Sequence, residues 1–178
     1  GLMRGVAGPP REYVKSAYYD WLKTQQSTMR EVNRHERYTE EGGVSWLLDV
    51  PELYSRRAPG TTCLDALTAK GDNRKDYIKS PANNSKGCGG IMRVAPLALL
   101  YRPGENYFGG QQELDLEGAQ LAAITHGHSL GYMPAAAVTH IISRILTDEN
   151  PDLKEIVLDA RDLMEQLFAG DRHLEELI

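Results

Sequence analysis

The sequence predicts an all-α chain, and three observations carry that prediction. Apolar residues recur at helical spacing in several segments, no segment shows sustained two-residue alternation, and Pro, Asn and Gly punctuate the apolar runs where helices start and stop. No internal repeat is present, and the whole of residues 1–178 reads as one compact multi-helix domain.

The first predicted helix is "PPREYVKSAYYDWLKTQQ", with Val14, Ala17, Tyr18, Trp21 and Leu22 on one face and Pro9 and Pro10 at its start. Ser27 to Gly43 is polar, and "HERYTEEGG" reads as an exposed loop. "VSWLLDVPELYS" predicts a short helix broken near Pro51. In "RRAPGTTCLDALTAKG", Thr61 or Thr62 suits an N-cap, Leu64 and Leu67 face inward and Gly71 ends the turn.

"DNRKDYIKSPANNSKGCGG" is the longest polar interval, and the apolar run Ile91 to Leu100 follows it, with Pro96 suited only to a helix start or a kink. From Leu114 the chain reads as helix-rich to its end. "LDLEGAQLAAITHG" places acids at the front, where the helix dipole favours them. "YMPAAAVTHIISRIL" is almost wholly apolar and therefore central. "NPDLKEIVLDARDLMEQLFAG" offers Asn150 as N-cap, Pro151 at the first position and Gly170 at the close.

Composition excludes several classes of function. Hydrophobic residues make up 41% of the 178, enough for a packed core. A formal charge of -5 with no Lys/Arg-rich run argues against nucleic acid as a partner, yet leaves room for a phosphate held by one well-aimed loop. Cys63 and Cys88 form neither a disulfide framework nor a spaced metal motif. No apolar run reaches the length of a membrane span and the N-terminus lacks a secretory apolar segment, which together predict a cytoplasmic protein without a membrane partner.

Two stretches could carry chemistry. In "NNSKGCGGIMRVAP" (Asn83 to Pro96), glycines permit positive φ and close approach to backbone amides, and successive N–H groups at a helix start can form a nest for a diphosphate. Ser85 adds a hydroxyl, and Asn83 and Asn84 add amides. It is not a Walker A loop, because Lys86 precedes the glycines. The alternative is an ordinary loop-to-helix connection.

In "ITHGHSLGY", His126 and His128 are two residues apart and share no helical face, which disfavours a metal pair. Either a histidine meets a ligand there, or it only completes a helix dipole. Glu113, Asp115 and Glu117 read as dipole-favoured acids, as do Asp148, Glu149 and Asp152. No calcium-loop or H-E-x-x-H pattern occurs, and Cys88 lacks the local signature of a nucleophile.

Taken together, "RRAPGTTCLDAL", "NNSKGCGGIMRVAP" and "ITHGHSLGYMPAA", spanning Arg56 to Ala136, resemble the ADP-ribosylglycohydrolase family, the enzymes akin to dinitrogenase-reductase-activating glycohydrolase. The resemblance implies an all-α hydrolase that releases ADP-ribose from a modified arginine or related acceptor with two divalent ions, usually magnesium. It places Asn84, Ser85, Lys86, Gly87, Cys88 and Gly89 on the loop that wraps the diphosphate and distal ribose. His126 would lie beside the ligand, with Gly131 and Tyr132 near the same pocket. Cys88 stands where some relatives have Asn, which implies contact through its thiol or backbone.

The sequence also departs from the family pattern. The early Thr-Asp-Asp and late Asp-x-Asp metal motifs do not occur, nor does the acidic residue near the N-terminus that is implicated in catalysis. The chain opens on Gly1-Leu2-Met3-Arg4 and stops at "DRHLEELI", so it reads as a central fragment incomplete at both ends. The expectations are therefore no catalytic residue and no metal ligand within it, magnesium ligands outside it, no turnover by these residues alone, and self-association through truncated apolar surfaces. The competing readings are a non-catalytic ADP-ribose- or nucleotide-binding helical module, and a helical fragment that binds nothing.

Overall fold

A computed structural model describes residues 8–35, 46–68, 73–100 and 109–178. Among the described residues there are seven α-helices, several 3₁₀ turns and no strand, so the all-α prediction holds. The chain forms two compact units, Gly1–Gly71 and Asp72–Ile178.

In the first unit α1 (Pro10–Gln26) starts on Pro10, whose missing N–H costs nothing in the first turn. It packs against the 3₁₀ turns Trp46–Asp49 and Pro51–Tyr54 and against α3 (Thr61–Thr68). The expected apolar face is only partly covered. Leu22 is buried, but so are Lys15, Asp20 and Thr24, while Val14, Ala17, Tyr18 and Trp21 are half-buried. Within the unit, α1 packs mainly on single turns and an eight-residue helix, which offer no long groove for a continuous stripe.

Three other expectations change in this unit. The polar stretch after Ser27 contains α2 (Met29–His35). Thr28 and Glu31 make a capping box there: the Thr28 N–H and hydroxyl donate to Glu31 Oε2 at 2.7 and 2.8 Å, and Glu31 N–H returns to Thr28 Oγ1 at 3.4 Å. Most of "HERYTEEGG" lies outside the described residues. The helix expected around Pro51 is two 3₁₀ turns, because proline ends the first and opens the second. At α3 the first helical bonds, from Cys63 and Leu64 N–H, end on the Gly60 carbonyl, so Thr61 is already helical and neither threonine is the cap.

The second unit holds the 3₁₀ turn Ile91–Arg93, α4 (Ala95–Leu100), α5 (Gln111–Ala123), α6 (Ser129–Thr147), α7 (Leu153–Leu167) and the 3₁₀ turn Leu174–Glu176. Pro96 sits in the first turn of α4, where it is tolerated. The apolar α6 is central, packing on α4, α5 and α7. Its own Met133, Ala135 and Ala136 are buried, as are Leu114, Ala119, Ala122 and Ile124 of α5 and the turn after it and Ile156 and Met164 of α7. Full burial of side chains such as Leu114 or Met133 contributes about 1.5–3 kcal/mol each. The α5–α6 approach is close because residue 118 is glycine: a Cβ there would overlap the Thr139 hydroxyl.

Two expectations fail in this unit for identifiable reasons. Helix α5 begins at Gln111, so only Glu113 lies in its first turn, whereas Asp115 and Glu117 are inside the helix and buried. Asp115 is fully buried because His140 of α6 receives it, with His140 Nδ1 2.9 Å from Oδ2. At α7 the cap is Asp152, not Asn150: its Oδ1 accepts the N–H groups of Lys154 at 2.8 Å and Glu155 at 3.1 Å. Such a cap is worth about 1 kcal/mol, and a carboxylate also favours the dipole. Asp148 belongs to the end of α6 and pairs with Arg144. No described helix is long and apolar enough to cross a membrane.

Candidate functional site

The loop Pro81–Gly90 lies over the turn joining α5 to α6, and its backbone is bolted there at many points. Asn83 is the hub. Its Oδ1 accepts Ser85 N–H at 3.0 Å and Gly127 N–H at 3.1 Å, while its Nδ2 donates to the Thr125 carbonyl at 2.9 Å. The Ser85 carbonyl accepts His128 N–H at 3.2 Å, and Ser85 Oγ accepts Gly87 N–H at 3.3 Å. Further upstream, Tyr77 is fully buried and its N–H donates to Gln120 Oε1 at 2.8 Å, which anchors the polar interval to α5.

The glycines serve this close approach. A Cβ at Gly131 would sit 2.7 Å from the Ser85 carbonyl oxygen, and one at Gly90 would sit 2.8 Å from Ala122 Cβ. At Gly127 it would overlap the Asn83 carbonyl. The expectation of positive φ is corrected here: among the described residues Gly109, Gly110 and Gly170 take it, and Gly87, Gly89 and Gly90 do not.

What the bolting leaves over is a row of donors. The backbone N–H groups of Lys86, Cys88 and Gly89 reach no acceptor among the described residues. They belong to a segment whose flanks are fixed, so their directions are set before anything binds. Gly87 is exposed, and a Cβ there would make only van der Waals contact with His126 Cδ2 and Nε2 at 3.4 Å. His126 is buried under the loop, its Nδ1 2.9 Å from Thr125 Oγ1, and Arg93 donates to that same hydroxyl. Burial first, and then the Arg93 charge, hold its imidazole below the ordinary histidine range.

His128 plays a different part. It is the N-cap of α6, its Nδ1 accepting Leu130 N–H at 3.1 Å, and its ring lies 4.5 Å from that of His173. Asn84, His128, Ser129, Tyr132, Asp171 and Arg172 line an open cleft of about 400 Å³. Lys86 and Arg172 stand beside Asp171 and Glu176 on this side, Glu176 pairing with His173 at 2.7 Å, and burial followed by the neighbouring charges holds His128 below the ordinary histidine range.

The sequence profile of the ADP-ribosylglycohydrolase family matches residues 1–177. The chain belongs to that family. No curated protein and no solved structure matches it. The match spans both compact units, and it makes the protein a glycohydrolase-type member of a generally metal-dependent family that acts on ADP-ribosylated substrates.

In this ADP-ribosylglycohydrolase chain, Asn84 and Tyr132 line the cleft, while Ser85, Lys86, Gly87, Cys88 and Gly89 form the bolted loop. Tyr132 also packs on Phe168 with centroids 5.9 Å apart. Gly131 is buried beneath Ser85, where its role is packing. Asn83, read from the sequence as an amide free for a ligand, is consumed inside the loop. Arg93 and Thr125 were not singled out in the sequence; an arginine inside the apolar run "GGIMRVAPLALL" was the available signal.

Proposed function

We infer that the chain supplies the diphosphate- and ribose-binding side of a hydrolase that removes ADP-ribose from an arginine-type side chain. The row of uncommitted N–H groups at Lys86, Cys88 and Gly89 carries this reading. A diphosphate is an array of acceptor oxygens, and backbone donors held in fixed directions stabilise it without ordering cost at binding. Asn84 and Tyr132 extend the surface toward the nucleoside end, and His126 stands behind Gly87.

The reaction replaces the C–N bond at the anomeric carbon with a C–O bond from water. Holding the remote diphosphate fixes that carbon relative to whatever delivers the water, so binding energy far from the chemistry serves orientation. Among the described residues no group of three or more His, Cys, Asp or Glu side chains is placed to hold a metal ion. The described residues do not fit a magnesium centre, which needs several oxygen ligands. On this reading the metal ligands come from outside the 178 residues, and the chain alone turns over no substrate.

Calorimetric titration of the chain with ADP-ribose tests this. Saturable binding is expected, lost in Gly87→Leu, whose side chain would cover the loop amides; the same samples release no ADP-ribose from modified arginine with magnesium present. Absence of saturable binding, or equal binding by Gly87→Leu, would overturn the reading.

A further inference from the structure

The hydrogens around Thr125 can be counted. Thr125 is fully buried, and its hydroxyl has one hydrogen to give. Arg93 donates to Oγ1 and has no acceptor to offer in return. His126 Nδ1, at 2.9 Å, is the other side-chain atom on that hydroxyl. If Nδ1 carried a proton, two donors would point at one oxygen and the hydroxyl's own hydrogen would be buried without an acceptor. The arrangement that satisfies every group has Arg93 donating to Thr125 and Thr125 donating to Nδ1. That leaves the imidazole proton on Nε2.

Nε2 is also the nitrogen that faces the loop. It lies 3.4 Å from the position a Gly87 Cβ would take and, unlike Nε2 of His140, it is not sealed from solvent. The lowered pKa of His126 agrees with a neutral ring at pH 7.

We propose that Arg93 and Thr125 are positioning residues that fix His126 as the neutral Nε2–H tautomer, so that it donates one hydrogen bond across Gly87 to an oxygen of bound ADP-ribose. The acceptor named here rests on the functional reading above. The tautomer does not, because it is a property of the ligand-free chain. Recognition at this point is then by a neutral directed donor and not by a cation, which ties ligand affinity to the orientation of one hydroxyl.

Long-range proton–nitrogen correlation spectra of the chain, with ¹⁵N-histidine and no ligand, read the tautomer directly, and His126→Gln assigns the signals. At pH 7.5 the wild type should show the Nε2–H pattern for His126. Thr125→Val keeps the shape but removes the relay; it should give a tautomer mixture and weaken ADP-ribose binding about tenfold. Thr125→Ser restores the hydroxyl and should restore both readouts, which a merely packing role for Thr125 would not do. A wild-type Nδ1–H or imidazolium signature would overturn the proposal, even if Thr125→Val did not fold. So would a Thr125→Val chain with unchanged tautomer. The expected tautomer without any ADP-ribose binding would refute the functional reading and the named acceptor, and would leave the relay itself established.

Discussion

His126 and His140 sit at opposite ends of the α5–α6 pair, and each is a buried histidine fastened through Nδ1. Their partners divide them. His126 is held by a hydroxyl beneath an exposed glycine, and its other nitrogen faces the loop. His140 is held by the Asp115 carboxylate, itself bonded to Gln111 Nε2 at 2.8 Å, and Gln111 also reaches Ser143 Oγ at 2.6 Å. Nε2 of His140 is sealed and has no partner among the described residues. A buried histidine can serve recognition only when the nitrogen not spent on packing meets open space. On the proposed reading one end of the helix pair meets a ligand, and the other end is a fastener.

The largest effect expected from this contrast is at the fastener. Asp115→Ala strips His140 and Gln111 of their common acceptor in a sealed site, and should cost about 3 kcal/mol in denaturant unfolding. The eight steps from Asp115 to Ala123 alone correspond to about 12 Å along α5, and His126 lies beyond its end. ADP-ribose affinity of the folded variant should therefore stay within about twofold of wild type. Lost affinity with intact stability would reverse the assignment of the two ends.

A pair of glycines separates the ends at the level of packing. Gly127→Ala and Gly118→Ala each force a methyl into occupied space, the first against Asn83 and Pro81 of the loop and the second against Thr139 between the helices. Both should lose about 1–3 kcal/mol. Only Gly127→Ala should also weaken ADP-ribose binding by more than about tenfold, since it displaces the hub of the loop. Calorimetry on both variants reads the difference; equal binding losses would mean that the helix pair responds as one body.

How much of this was legible in the chain follows from how local each cause is. Helices α1, α5, α6 and α7 are written in local spacing and punctuation, and all were expected, though not always from the right first residue. Helix α2 was equally local, because Thr28 and Glu31 are spaced as a capping box, but the polar composition around them hid it. Asn83 and Asn84 are neighbours of identical chemistry, and only the fold decides which turns inward. Asp115 looks like a dipole-favoured acid until His140, twenty-five residues on, is brought against it. Arg93 and Thr125 meet across thirty-two residues, and no spacing rule joins them.

The smallest expected effect tests burial at each end, because desolvating an acid at one and a base at the other shifts stability with pH in opposite directions. Burial, the largest influence, raises the Asp115 carboxyl above its usual range despite His140, Gln111 and Arg144. From the unfolded value of about 3.9 upward, the native chain keeps a proton that the unfolded chain has released. Asp115's contribution to stability is thus complete below that value and is lost as pH rises through the folded pKa. His126 is lowered by burial and then by Arg93, so below about 6.5 the unfolded chain takes a proton that the native chain refuses. Its contribution is present above about 6.5 and is lost as pH falls toward the folded pKa. Unfolding free energies measured from pH 4.5 to 7.5 should therefore climb more steeply with pH in Asp115→Asn than in wild type, and less steeply in His126→Gln. Slopes that move in the same direction in both variants would mean that burial does not dominate the titration of one of these two groups.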